Sequence, residues 1–268
     1  MKIWAVSNQK GGVGKTTTVV ALGGLLSSWG YRTLLVDLDP HGALSSYFGI
    51  NPDEIKASAY NLFHDASLKN KDAKTENYIF ATQFENLSII PASTAMATLD
   101  RQVAAMAGMG LVVLQGLKKV ADQYDFVIID SPPMLGVLMI NALAACETLI
   151  MPVLAEFLAL KGLDRMLRTL NMVFGSRKKA PQYLIVPTMF DKRTKEAQES
   201  LQVLTSQYGE YLWQNGVIPI DTKYREASRA GVPGSLYVPL SKATEAYSAL
   251  AEYLLQTNAP PTKKLGAG

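Results

Sequence analysis

The sequence predicts an α/β fold, a doubly wound, mostly parallel sheet flanked by helices. Three observations lead there. Short apolar runs alternate with longer helix-like stretches along most of the chain, the pattern of strands joined by crossover helices. The runs at Ile3–Val6 and Phe126–Ile129 are apolar at every position, as strands buried on both faces require. The first run leads through a glycine-rich loop directly into a helical stretch.

Taken in order, strands are expected at Ile3–Val6, Thr33–Val36, Leu87–Pro91, Phe126–Ile129, Thr148–Pro152 and Tyr183–Thr188, with a short further one at Tyr237–Val238. Helices are expected between them, at Thr16–Trp29, Met96–Ala107, Leu111–Gln123, Leu138–Cys146, Leu160–Phe174, Thr194–Tyr208 and Ala243–Leu255. Val6 to Thr33 holds a single crossover helix. Ile50 to Asn86 is more polar and irregular and reads as a surface insertion with a short helix. Asn258 to Gly268 carries two prolines, two lysines and small residues, and is expected to be a disordered tail. The chain has 268 residues, 48% of them apolar, so residues 1–257 are read as a single domain with one substantial core. No internal repeat is visible.

Composition narrows the function. No signal peptide pattern precedes the glycine-rich loop, and no apolar run reaches the roughly 18 residues of a membrane span. Cys146 stands alone, so no internal disulfide can form, which fits a cytoplasmic protein. His41 and His64 are too few and too distant for a dedicated metal site. A net charge of +3 is weak evidence for a nucleic-acid partner.

Lys10-Gly11-Gly12-Val13-Gly14-Lys15-Thr16 carries the chemistry. It sits between a buried strand and a helix, the setting of a phosphate-binding loop. Its glycines let backbone N–H groups turn in on a polyphosphate, and the helix N-terminus adds its positive end. Lys15 can reach the outer phosphates, and the Thr16 hydroxyl can ligate Mg²⁺. Lys10 gives the loop a second lysine. Asp130, at the end of the Phe126–Ile129 run, is the acid expected to hold Mg²⁺, through water. Ser131-Pro132-Pro133 stiffens the point where a γ-phosphate sensor would sit. A third strand ends in Asp37-Leu38-Asp39-Pro40. Two carboxylates with one spacer are expected on the same side of the extended chain. One could orient the attacking water and the other support the Mg²⁺ shell or the loop; the bland alternative is a solvated Asp-Pro turn.

With these motifs the chain resembles the ParA/MinD-type ATPases that carry a deviant Walker A loop. Lys-Gly-Gly-Val-Gly-Lys-Thr-Thr-Thr, Leu-Val-Asp-Leu-Asp-Pro and Ile-Ile-Asp-Ser-Pro-Pro look like that family's Walker A, switch I and Walker B/switch II. The segments 152–163, 187–194 and 243–254 match too, so the resemblance runs from residue 1 to about 255. It implies ATP and Mg²⁺ as cofactors, a homodimer sandwiching ATP, and slow hydrolysis acting as a timer. It places Lys10 on the partner's nucleotide, Lys15 and Gly11, Gly12, Val13 and Gly14 on its own, and Thr16 on Mg²⁺. Thr17 falls near the α-phosphate and Asp39 at the attacking water.

Three outputs compete. A DNA-partition ATPase would use the basic clusters Arg177-Lys178-Lys179, Lys192-Arg193-Lys195 and Lys223-Arg225-Arg229. Against it, Ile218-Pro219-Ile220-Asp221 replaces the family's Ile-Pro-Arg, and the long N-terminal helix-turn-helix region of large plasmid ParA proteins is not expected. A MinD-like membrane ATPase needs an amphipathic C-terminal helix that residues 258–268 cannot make. The third is a cargo positioner. Trp4, His41 and Pro219–Ser228 resemble the ParA-like branch, often called ParC, encoded with chemotaxis genes in polarly flagellated bacteria. That branch implies a polar location, with adaptor and pole-organising partners and at most weak, non-specific DNA binding.

Overall fold

The computed structural model describes residues 1–103, 106, 108–174 and 180–257. The expected tail, the Arg177-Lys178-Lys179 cluster and part of the expected helix ending at Ala107 lie outside these residues. In chain order the elements are β1 (Lys2–Val6), α1 (Lys15–Ser28), β2 (Thr33–Asp37), α2 (Ala43–Tyr47), α3 (Ala59–Ser67), β3 (Phe80–Ala81) and β4 (Leu87–Ile90). There follow α4 (Leu99–Val103), α5 (Val112–Lys118), β5 (Phe126–Asp130), α6 (Val137–Ala145), β6 (Thr148–Leu154), α7 (Phe157–Phe174) and β7 (Gln182–Thr188). The chain continues through α8 (Lys195–Tyr208), α9 (Lys223–Ala230), α10 (Gly234–Tyr237) and α11 (Lys242–Thr257).

The seven strands form one sheet in the order β3-β4-β2-β5-β1-β6-β7, parallel throughout except where β3 pairs antiparallel with β4. Alternation along β1 splits the core into two layers. Ile3 and Ala5 join Phe63 of α3, Leu143 of α6 and Leu163 of α7 on one face. Trp4 and Val6 join Leu22 and Leu26 of α1 and Leu250 of α11 on the other. Helices thus cover both faces, which is why the strands read as near-continuous apolar runs.

Register brings the site together. Val6 pairs with Asp130, and Asp37 pairs with Asp130 from the other side. The C-terminal ends of β1, β2 and β5 therefore meet at one point of the sheet edge. Helix α1, which starts there, is buried nearly all round. Gly23 and Gly24 allow this: a Cβ at Gly24 would lie 2.5 Å from Pro233, and one at Gly23 would lie 2.8 Å from Leu35. Two glycines weaken an isolated helix, but here they let α1 sit directly against the sheet and α10.

The strand and helix order follows the expectation, with three corrections. Tyr237–Val238 is not a strand; Gly234–Tyr237 forms α10, closed by Tyr237 N–H donating to the Pro233 carbonyl at 2.9 Å. An apolar run that short carries no usable period. The segment from Ile50 to Asn86 is not only a surface insertion. Ser58 and Asn61 cap α3, and Leu62 and Phe63 enter the main core, while Phe80–Ala81 adds the edge strand β3. The expected helix Met96–Ala107 is a 3₁₀ turn over Thr94–Thr98 followed by the short α4 within the described residues.

Candidate functional site

The glycine-rich loop leaves β1 at Val6 and re-enters helix at Lys15. Gly12 and Gly14 take positive φ, 73° and 87°. A Cβ at Gly12 would meet nothing within 4 Å, so glycine is required there by backbone conformation and not by space. No side chain caps the first turn of α1, which leaves its N–H groups and positive end facing the loop. The loop is held from behind. Asn8 Nδ2 donates to the Pro152 carbonyl of β6 at 2.7 Å, and Thr188 Oγ1 of β7 donates to the Val13 carbonyl at 2.9 Å.

Below the loop, Thr16 Oγ1 donates to Asp130 Oδ2 at 2.6 Å. The other oxygen, Asp130 Oδ1, is buried and has no hydrogen-bond partner among the described residues. An orphaned buried acceptor beside a threonine hydroxyl and the mostly buried Lys15 is a site built for one more group. Mg²⁺ fits this donor set, since it takes few protein ligands and keeps waters and substrate phosphates. No cluster of three or more His, Cys, Asp or Glu able to cage a metal occurs among the described residues. Burial pushes the Asp130 carboxyl above the usual carboxylate range and the neighbouring Asp37 charge adds to this; the Thr16 hydroxyl and the Lys15 ammonium pull it back.

Asp37 and Asp39 do not stand side by side. The strand stops at Asp37, which is fully buried. Asp37 Oδ1 accepts from Asp39 N–H at 3.1 Å, and Asp37 Oδ2 accepts from Ser45 N–H at 2.8 Å and Ser45 Oγ at 2.7 Å. Its acceptors are spent on the loop, so of the two roles left open for it the geometry favours loop support over the metal. Burial raises the Asp37 carboxyl too, opposed by the Ser45 hydrogen bonds. Asp39 sits on the rim, and its Oδ1 accepts from His41 N–H at 3.0 Å and pairs with His41 Nδ1 at 2.9 Å.

A family model described as an AAA domain matches residues 1–182. The sporulation initiation inhibitor protein Soj of Bacillus subtilis is 36% identical over 255 residues, spanning 94% of this chain and 97% of that protein. The chromosome partitioning protein ParA of Myxococcus xanthus is 32% identical, spanning 98% of this chain and 91% of that one. The chain belongs to the ParA/Soj family of P-loop ATPases. Among solved structures, it resembles cobyrinic acid a,c-diamide synthase from Mycobacterium smegmatis with bound ATP analogue and magnesium. That match has a TM-score of 0.81 and 30% identity, covering 97% of this chain and 96% of the other. Apo McdA from Cyanothece gives a TM-score of 0.79 at 23% identity, covering 93% and 98%, a likeness of fold.

Two further features complete this ParA/Soj-type site. Lys10 Nζ donates to Glu156 Oε2 at 3.1 Å, so the loop's extra lysine is paired within its own chain, at the exposed end of β6. Beside Gly14 and Thr17 opens a cavity of 460 Å³ lined by Met189, Pro219, Ile220 and Tyr224, with Asp221, Arg225 and Arg229 at its polar side. Its position next to the loop and its apolar walls suit a nucleobase and ribose. Met189 is held at φ 51°, an uncommon conformation for a side-chain-bearing residue, and faces Gly14.

Of the expected site residues, Gly11 to Thr17, Asp37, Asp39 and Asp130 converge on one edge, and Lys10 pairs with Glu156 just past the end of β6. Glu156, Ser45, Met189 and Tyr224 were not foreseen as site residues. Glu156 had a signal: it is the only acidic residue between Thr148 and Leu163. Ile220 and Asp221, read from sequence as a departure from the DNA-partition motif and as part of the segment resembling the chemotaxis-linked branch, line the cavity beside the loop.

Proposed function

We propose that this chain is a nucleotide-switched positioning ATPase. Residues 1–257 act as one unit that binds Mg²⁺·ATP, pairs with a second copy, and resets by slow hydrolysis to ADP and phosphate. The observation that carries the reading is the Thr16–Asp130 hydrogen bond with its orphaned Asp130 Oδ1 under the glycine loop. Thr16 and Asp130 would hold Mg²⁺, the latter through water, and the ion would neutralise charge on the outer phosphates. Lys15 and the backbone of Gly11 to Thr17 would hold the phosphates, Lys10 would cross to the partner's nucleotide, and Asp39 would orient the attacking water.

The cargo we infer is a polar chemotaxis array, reached through an adaptor and a pole-organising protein in the cytoplasm. Support comes from the state of the basic clusters. Arg193 is paired with Asp191 at 2.7 Å and Lys195 with Glu199 at 3.3 Å, while Arg225 and Arg229 line the nucleotide cavity. Two members of these clusters thus already face acidic partners, in keeping with DNA binding that is weak and salt-sensitive. No helix among the described residues is long and apolar enough to cross a membrane.

Chromosome or plasmid partition is the second reading. It is favoured by relatives such as the chromosome-partitioning ATPase Soj of Treponema pallidum, 36% identical over 249 residues. The deciding experiment follows a tagged protein and its deletion in cells. Polar foci with the array, and arrays misplaced on deletion, support the first reading. A nucleoid pattern with DNA loss supports the second.

A further inference from the structure

Asp39 is held by an unusual neighbour. Its Oδ1 accepts two hydrogen bonds from one residue, from His41 N–H at 3.0 Å and from the His41 ring Nδ1 at 2.9 Å. No hydrogen bond among the described residues reaches Oδ2. The His41 side chain is 86% exposed, so burial does not fix the ring there, whereas Asp39 is only 16% exposed. A backbone N–H alone would close the turn; the ring bond adds nothing to the turn and acts only on the carboxylate. Both the neutral Nδ1–H tautomer and the imidazolium donate in this geometry, so the contact does not depend on the charge of the ring.

We infer that His41 is a positioning residue for Asp39: its Nδ1–H fixes Oδ1 and leaves Oδ2 as the oxygen presented to the attacking water. The inference rests on the reading of Asp39 as the water-orienting group. A carboxylate on a short loop can rotate about χ2, which exchanges its two oxygens and moves the acceptor away from the water. Two donors on Oδ1 suppress that rotation. Because a small error in the position of a water-orienting group costs much of the rate, the ring bond is set against the chemical step and not against nucleotide binding.

The test uses the full chain, with steady-state ATP hydrolysis and calorimetric affinity for an ATP analogue with Mg²⁺. His41→Ala should lower kcat about tenfold with KM and nucleotide affinity unchanged. His41→Asn should recover most of the rate, because its side-chain N–H₂ occupies nearly the place of Nδ1. A merely structural role in the turn would lower nucleotide affinity along with kcat in His41→Ala, whereas a positioning role moves kcat alone. Wild-type turnover in His41→Ala, or equal losses in both variants, overturns the inference and leaves the ATPase reading intact. Asp39→Ala is the control for that reading: if it still hydrolyses ATP at the normal rate, the role of Asp39 fails and the inference falls with it.

Discussion

Lys10 and Glu156 form an ion pair at 3.1 Å within one chain, although the loop lysine is the residue that a second copy would require. Both side chains are partly exposed, so the pair is worth a fraction of a kcal/mol to about 1 kcal/mol. In the proposed dimer Lys10 would have to leave it to reach across. Glu156→Gln removes the competing carboxylate and should lower the ATP concentration for dimerisation up to about fivefold. Lys10→Ala should bind ATP yet remain monomeric. Light scattering against ATP concentration reads both; a Glu156→Gln protein that dimerises less readily than the parent would show that the pair helps association.

Lys15→Ala removes the mostly buried cation of the glycine loop, the proposed phosphate ligand. A charge-assisted contact of this kind contributes about 2–3 kcal/mol, so ATP affinity should fall by about two orders of magnitude. Calorimetry giving equal affinity in the two proteins would reject the phosphate site.

Asp39→Ala should bind ATP and accumulate as a dimer, because water orientation is lost while the loop contacts remain. Hydrolysis should drop by at least about a hundredfold. A monomeric variant at saturating ATP contradicts the switch.

Asp130→Asn tests the buried acids by pH. The folded Asp130 carboxyl is raised by burial and by Asp37, so the folded state holds its proton longer than the unfolded chain does. The contribution of Asp130 to nucleotide-free stability is therefore fully present below the unfolded value near 3.8 and is lost as pH rises through the window up to the raised folded value. Each unit of elevation costs about 1.4 kcal/mol at pH above both. Asp130→Asn should flatten that slope and stabilise the nucleotide-free protein, while abolishing the effect of Mg²⁺ on ATP binding. Denaturant titration at several pH values measures it, and an unchanged slope in the variant would assign the pH dependence elsewhere.

Gly24→Ala should destabilise the protein by about 1–2 kcal/mol, although alanine favours helix. Its Cβ would meet Pro233 at 2.5 Å and Ser235 Oγ at 2.9 Å, pushing α10 off α1. A midpoint equal to or above that of the parent in urea would mean α10 yields without cost.

The parallel strands and their terminal acids were legible because burial on both faces forces unbroken apolar runs, and a carboxylate ending such a run stands out. Phe126–Asp130 is the clear case. Helix α9 was not legible: of Lys223–Ala230 only Ala227 is buried, so no apolar stripe marks it. The edge strand Phe80–Ala81 is too short to show alternation. The separation of Asp37 from Asp39 was hidden because it depends on where the strand ends and on Ser45, which arrives from α2. The Lys10–Glu156 pair joins residues 146 positions apart, and only the fold brings them together.

Ser45 Oγ donates to Asp37 and accepts from the Ala92 N–H at 2.8 Å, tying α2 to the ends of two neighbouring strands. The stretch carrying Asp39 and His41 is thus anchored at both ends before any nucleotide arrives. A tethered stretch has surrendered most of its conformational entropy during folding, and little remains to be lost on ligand closure. Binding at this edge should accordingly show a small heat-capacity change and little gain in amide-exchange protection between residues 37 and 45, with the large gains falling on the face that carries Lys10.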